Sequence, residues 1–285
     1  MRLTVRDIQK MKDNGEPIAM LTAYDATSAR LSEAAGVPML LVGDSLGMVV
    51  QGRDSTIPVT LDHMIYHSAI VTRVTERPLV VGDMPFMTYS VSTEQALQGA
   101  ARLMQESGVG AVKLEGGEHI SPTIARIVQA GIPVMGHIGL TPQSVNRFGG
   151  FRVQGREVMA AQQLIKDAQA VQDAGAFAVV LELVTAPLAQ MITERLDIPT
   201  IGIGAGQHCD GQVQVFHDIL GLYDQLAPRH AKQYVSGGEI IRQAIERYVS
   251  EVRDKQFPTD ENSFTMREDV LAALREGEAG GSGDY

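Results

Sequence analysis

The chain of 285 residues has no tryptophan and a single cysteine, Cys209. One thiol excludes an internal disulfide framework and a cysteine-built zinc cluster, and it fits a reducing compartment, so a cytoplasmic location is expected. Long apolar runs are also missing. Stretches such as Met39 to Val42 are far too short to cross a bilayer, and Met1 to Lys12 carries charge throughout, with no apolar centre of the kind an export signal needs. No membrane is expected as a partner. Positive charge is scarce, with 24 Lys and Arg against 34 Asp and Glu and a net charge of -10. Such a surface repels a nucleic-acid backbone, so no nucleic acid is expected either, and any anionic small molecule must be met by a local cation or a metal.

What is present is ordinary globular usage, 44% hydrophobic and 20% charged. From Ala19 onward one pattern repeats: a short apolar run, a Gly or acidic residue, then a segment with helical spacing that ends at Gly. The runs predict buried strands at Ala19–Tyr24, Pro38–Gly43, Leu79–Gly82, Ala111–Leu114, Pro133–His137, Ala178–Leu181 and Thr200–Ile203, with a weaker eighth around Val213–Phe216. Between them, Ser92 to Gln95 has the capping-box pattern of a helix start that Gly108 ends, and Ser121-Pro122 reads as a cap residue followed by a proline in the first turn. Eight such units close a (β/α)8 barrel, and no Gly-x-Gly-x-x-Gly turn follows the first strand as a dinucleotide-binding sheet requires. The expected organisation is one barrel domain over residues 1–257. Within it, a helix over Thr4–Lys12 plugs the barrel floor and a charged amphipathic helix spans Glu239–Lys255. Residues 258–285 form an extension with a helix over Met266–Glu276, and Gly277–Tyr285, Gly-rich and acidic, reads as disordered.

Four of the apolar runs stop at a carboxylate: Asp44, Asp83, Glu115 and Glu182. In a barrel all those ends lie on one face, where barrel enzymes place their chemistry. A lone Asp after a strand is as readily a helix cap facing water, but four together predict convergence. Crowded carboxylates repel one another unless a cation is present, and oxygen ligands without a Cys or His cluster suit Mg²⁺ before Zn²⁺. Magnesium takes one or two protein carboxylates directly, which leaves another free to act as a base. Lys113, two residues before Glu115, shares its side of the strand. It is either a buried ion-pair partner of Glu115 or a cation for a substrate carboxylate or oxyanion.

Other features carry less. His63 and His67 are four apart without the Glu of a zinc motif, which favours packing roles over metal binding. His137 ends the fifth strand and can line a pocket there. The segment Gly202 to Gly206 is either an anion-cradling loop or a tight exit from the barrel, and Cys209 has no evident partner that would make it a nucleophile.

The segments Val42-Gly-Asp-Ser-Leu-Gly-Met48, Val112-Lys-Leu-Glu-Gly-Gly117, Gly136-His-Ile-Gly-Leu-Thr-Pro-Gln-Ser144, Val153-Gln-Gly-Arg156 and Ile201-Gly-Ile-Gly-Ala-Gly206 resemble the signature segments of the 3-methyl-2-oxobutanoate (ketopantoate) hydroxymethyltransferase family. The resemblance runs from about Thr4 to Phe257. It implies a barrel similar to that of the phosphoenolpyruvate mutase and isocitrate lyase group. It also implies transfer of a one-carbon unit from 5,10-methylenetetrahydrofolate to a 2-oxo acid, with Mg²⁺ as cofactor, and a homo-oligomer, often a decamer. Carried over by position, it makes Asp44, Asp83 and Glu115 the metal site, with Glu115 bound directly or through water. Asp44, Ser45, Asp83 and Lys113 then become the oxo-acid contacts, and Glu182 the proton acceptor. Two departures stand out: His230 falls where the family usually has an aromatic residue, and the tail beyond Phe257 has no counterpart.

Three other readings share the residues. A lyase of the isocitrate lyase type requires a catalytic cysteine in a mobile loop, which Cys209 is poorly placed to be. A Schiff-base aldolase would use Lys113 as its nucleophile and ignore chelators. A non-catalytic barrel would bind the oxo acid without exchanging its C3 hydrogen.

Overall fold

The computed structural model of the chain describes residues 1–223 and 228–279. Eight parallel strands, β1 (Ile18–Thr22), β2 (Met39–Val42), β3 (Leu79–Asp83), β4 (Ala111–Glu115), β5 (Val134–Gly139), β6 (Ala178–Glu182), β7 (Thr200–Ile203) and β8 (Gly211–Gln214), close into a barrel in sequence order. The ring is completed where β1 pairs with β8. The helices are α1 (Val5–Asp13), α2 (Ala26–Ala34), α3 (Leu46–Val49), α4 (Leu61–Val74), α5 (Thr93–Ser107), α6 (Ser121–Gln129), α7 (Val145–Phe148), α8 (Val158–Asp173), α9 (Ala186–Thr193), α10 (Phe216–Leu220), α11 (Gly237–Arg253) and α12 (Glu268–Ala279). Among the described residues no helix is long and apolar enough to cross a membrane.

Period-two alternation sorts each strand into two faces. The inward residues Ile18, Met20, Met39, Leu41, Leu79, Val81, Ala111, Met135, Ala178, Val180, Ile201, Ile203 and Val213 form one apolar cluster, and Ile8 of α1, fully buried, joins it as the expected floor plug. Burying a side chain of that size stabilises by roughly 1.5–3 kcal/mol. The outward residues, such as Val80, Val112, Leu114, Val179 and Leu181, pack with the helices in a second cluster. Continuing the inward series one step past the apolar layer gives Asp83 on β3, Lys113 and Glu115 on β4, His137 on β5 and Glu182 on β6. The barrel is thus a sealed apolar base with a polar layer on top.

All eight strands lie within two residues of the predicted spans. The eighth is shifted as a whole: β8 runs Gly211–Gln214 rather than Val213–Phe216, and Phe216 opens α10. Its exposed Gln212 and half-buried Gln214 break the apolar pattern that marks the other strands. At α5 the Ser92 hydroxyl accepts from Gln95 N at 3.1 Å and Gly108 ends the helix with φ 74°. At α6 the cap is not Ser121. A 3-10 turn over Glu118–Ile120 runs directly into the helix, and the Ser121 hydroxyl donates back to Glu118 O at 2.9 Å.

The chain divides into two compact units after Val235. The first holds the barrel. The second begins at Ser236 and holds α11, so it takes in a helix that the sequence reading assigned to residues 1–257. Within this unit Arg242 pairs with Glu239 at 2.7 Å and Arg247 with Glu251 at 2.7 Å along the helix, and the Tyr248 ring meets Phe257. α12 continues to Ala279, through three residues of the stretch expected to be disordered; Gly280–Tyr285 lie outside the described residues.

Candidate active site

Register places the polar layer residue against residue. Asp83 is the strand partner of Lys113, and Glu115 that of His137. Lys113 Nζ lies 2.7 Å from Asp83 Oδ1, so the lysine pairs with the neighbouring strand rather than with Glu115 on its own. His137 bridges the other side: Nδ1 is 3.5 Å from Glu115 Oε1 and 3.2 Å from Lys113 Nζ, and Nε2 is 3.1 Å from Glu182 Oε2. Asp44, two residues beyond β2, enters through its backbone, whose N–H donates to Asp83 Oδ2 at 3.0 Å. Ser45 is held at the rim, its Oγ 2.8 Å from the Tyr24 hydroxyl. The strand-end carboxylates and Lys113 therefore form one connected cluster.

One residue that sequence reasoning did not single out ties the cluster together. Gln143, in the loop after β5, is 5% exposed. Its Nε2 donates to Asp44 Oδ2 at 2.9 Å and to Met84 O at 3.0 Å, its backbone N–H donates to Glu115 Oε2 at 3.0 Å, and its Oε1 accepts from the Tyr89 hydroxyl at 2.6 Å. Gln143 stood inside the segment Gly136–Ser144, yet a neutral amide in a loop carries no chemical signal; only its burial reveals it. Gly139 sets the path of that loop. It has φ +92°, and a Cβ there would fall 2.3 Å from Glu182 O, so no other residue lets β5 turn so close to the end of β6.

Burial and mutual repulsion dominate the electrostatics. Burial, then the charges of Asp83 and Glu115, pushes the Asp44 carboxyl well above the usual range, outweighing Lys113 and the Gln143 amide. Asp83 is also raised, chiefly by burial, although Lys113 and the Asp44 N–H oppose this. Glu115 goes the other way: burial would raise it, but His137, Lys113 and the Gln143 N–H together hold it below the usual range. Burial and Lys113 work against a charged His137, yet Glu115 and Glu182 overcome them and bring it up to about 9. Burial disfavours the Lys113 cation, but Asp83, Glu115 and Asp44 raise it above its ordinary value. A protonated His137 lies between the two carboxylates, although its buried Nε2 makes no aligned hydrogen bond, while Lys113 pairs with Asp83.

Four carboxyl groups face one lysine and one imidazole, a surplus of acidic oxygens of the kind a divalent cation would relieve. The donors are hard oxygens, and Asp83 Oδ1, fully buried, takes no aligned hydrogen bond despite the nearby Lys113. Among the described residues no three His, Cys, Asp or Glu side chains are grouped tightly enough to hold an ion by themselves. An ion held here would take only one or two carboxylates directly and draw the rest of its ligands from water or substrate.

The weaker candidates resolve into structural roles. His63 Nδ1 accepts from Thr60 N at 3.1 Å in the cap of α4, and His67 Nδ1 bonds Tyr24 O at 2.6 Å. Burial raises the Cys209 thiol, which disfavours its thiolate. Gly204 and Gly206 turn with positive φ against Leu183, His230 and Ala186.

A family model described as ketopantoate hydroxymethyltransferase matches residues 2–260. A 3-methyl-2-oxobutanoate hydroxymethyltransferase of Chloroflexus aurantiacus is 63% identical over 273 residues, 96% of either chain. One of Carboxydothermus hydrogenoformans is 54% identical over 96% of this chain and 99% of its own. Among solved structures, a phosphoenolpyruvate phosphomutase from Streptomyces platensis subsp. rosaceus superposes with a TM-score of 0.61 at 15% identity, covering 98% of both chains. A 2,3-dimethylmalate lyase, described as a PEP mutase/isocitrate lyase superfamily member, gives 0.60 at 16% identity over 98% of both. At such identities these two speak to fold alone: the barrel is similar to theirs.

Proposed function

The chain belongs to the ketopantoate hydroxymethyltransferase family, and from that premise we propose that it transfers a one-carbon unit from 5,10-methylenetetrahydrofolate to C3 of 3-methyl-2-oxobutanoate, giving 2-dehydropantoate for pantothenate biosynthesis. The observation that carries the reading is the linked cluster of Asp44, Asp83, Glu115, Lys113, His137 and Glu182 at the barrel mouth, rich in carboxyl groups and buried except on one side. That side is Glu182, whose side chain keeps 14% exposure where those of Asp83 and Glu115 keep 3%.

Asp44 and Asp83 would hold Mg²⁺, with Glu115 reached directly or through water, and the ion would supply Lewis-acid polarisation of the 2-oxo acid. Lys113 adds positive charge beside the substrate carboxylate or the oxyanion that develops on the ketone oxygen, and Ser45 and the Asp44 and Asp83 carboxylates contact the acid. Glu182 takes the proton from C3, and the C–H electron pair passes into the enolate. His137, whose Nε2 lies 3.1 Å from Glu182 Oε2, positions that carboxylate. C3 then forms a bond to the methylene carbon of the donor as its bonds to N5 and N10 break, one water supplies the hydroxyl group, and the proton held by Glu182 and the other water proton go to the two nitrogens of the departing tetrahydrofolate.

The test is exchange of the C3 hydrogen of 3-methyl-2-oxobutanoate with solvent deuterium, without the folate. The parent protein exchanges it with Mg²⁺ and far more slowly in EDTA, and Glu182→Gln loses exchange by about a hundredfold or more while still binding the acid. Exchange by Glu182→Gln at the parent rate would remove Glu182 from the role of base.

A further inference from the structure

A cavity of about 480 Å³ lies between the loops that follow β4 and β5 and the first half of α8, and it meets the carboxylate cluster at Glu115. Its volume falls in the range of small-molecule sites, ~300–1,000 Å³. Three features give it a direction. At the inner end is Glu115, so a ligand lying here presents one end to the carboxylate cluster. Along the α8 wall Leu164 supplies an apolar face and Asp167 a fixed carboxylate. Asp167 Oδ1 accepts from Glu118 N at 3.0 Å and from Gln163 Nε2 at 3.1 Å, and the side chain presses so closely on Gly117 that a Cβ there would fall 2.1 Å from Asp167 Cγ. Its second oxygen, Oδ2, has no partner among the described residues and remains as an acceptor. At the loop side stands Arg147, exposed, with no ion pair or hydrogen bond to any described residue in a chain of net charge -10.

An apolar wall, one rigid acceptor and an unpaired cation beyond it describe a long ligand with three parts. These are a flat heterocycle with N–H donors on one edge, a reactive group at the inner end, and an anionic tail. We propose that this cavity is the donor subsite. In it a reduced pterin gives hydrogen bonds from its amino-pyrimidinone edge to Asp167, its p-aminobenzoylglutamate tail reaches Arg147, and its methylene carbon faces Glu115. The proposal rests on the folate-dependent transfer argued above. It separates the machinery in two: the β2–β4 side holds the oxo acid and the β5–α8 side holds the carrier.

The experiment uses two variants remote from the carboxylate cluster. Arg147→Ala removes the cation, and Ala160→Trp fills the cavity from the start of α8. Each is assayed for transfer with 5,10-methylenetetrahydrofolate and, separately, for C3 deuterium exchange without donor. Arg147→Ala should raise the donor KM by about tenfold, the worth of one charge-assisted contact, and Ala160→Trp by more, while exchange and the oxo-acid KM stay within about twofold of the parent. The pteroate analogue of the donor, which lacks the glutamate, should bind the parent about tenfold less well than the full donor and Arg147→Ala no differently. Retained exchange shows that each variant is folded. An unchanged donor KM in both variants overturns the assignment, and so does a full preference for the glutamate tail in Arg147→Ala. Loss of exchange together with donor affinity would place the cavity in the oxo-acid site and overturn it too. Absence of exchange in the parent would instead strike at the proposed reaction.

Discussion

Replacing Lys113 with Met tests the electrostatic account most directly. Met keeps most of the apolar stem and removes only the ammonium, which lies 2.7 Å from Asp83 Oδ1 in a pair whose side chains are 5% and 3% exposed. Asp83 would retain the Asp44 N–H but lose its counter-charge, with Asp44 and Glu115 still adding to the repulsion. Breaking a buried pair from one side costs about 3–5 kcal/mol, because the partner charge is left desolvated. For a domain of this size that corresponds to a fall in Tm of roughly 6–20 °C. The cost is pH-dependent with a defined sign. A carboxyl raised above its unfolded value holds a proton that the unfolded chain releases, so stability falls as pH rises, and removing the lysine steepens the fall.

The assay is thermal unfolding in EDTA at pH 5.5 and pH 8 for the parent, Lys113→Met, Asp83→Asn and the double variant. Lys113→Met should lose most at pH 8 and recover part of the loss at pH 5.5. The double variant should be more stable than the sum of the single effects predicts, with a coupling of about 1.5–3 kcal/mol. Additive losses within about 0.5 kcal/mol, or a Lys113→Met protein as stable as the parent at pH 8, would refute the reasoning, since either would mean that Asp83 does not depend on Lys113.

Three further outcomes follow from the same geometry. Gln143→Leu strands Asp44 Oδ2 and the Tyr89 hydroxyl, and it should weaken the Mg²⁺ half-saturation of C3 exchange by about 10–100-fold; a magnesium titration of exchange checks this. In cation-free protein, His137 contributes about 3 kcal/mol below pH 6.5, and this is lost as pH rises through about 9; Asp44 and Asp83, both raised, act in the same direction. Unfolding midpoints measured from pH 6 to 10 should therefore fall, and His137→Gln should flatten the curve. Gly139→Ala puts a methyl where Glu182 O lies 2.3 Å away at φ +92°, so it should destabilise by about 1–3 kcal/mol and slow C3 exchange, which unfolding and exchange measured on the same sample will separate.

How far these features were legible in the sequence depends on which physical property announces each one. Strands buried on both faces have to be nearly all apolar, so β1 to β7 stood out as runs, and the charged residue ending a run marked the layer where the apolar base stops. Period two then put Lys113 and Glu115 on one side, but alternation along one strand says nothing about the partner across the sheet. The choice between Glu115 and Asp83 belonged to register, and register gave Lys113 to Asp83. β8 was displaced for the complementary reason: with Gln212 exposed, it need not be apolar on its outer face. Gln143 and Tyr89 were illegible because they act through burial and hydrogen bonding alone. A neutral amide 28 positions from Glu115 and 99 from Asp44 becomes part of the site only when the loop after β5 folds it over both, and no local spacing encodes that closure. The sequence thus exposes the groups that bear charge, while the groups that orient them emerge only from the tertiary fold. This is why the carboxylates could be named from the chain, whereas their supporting shell could not.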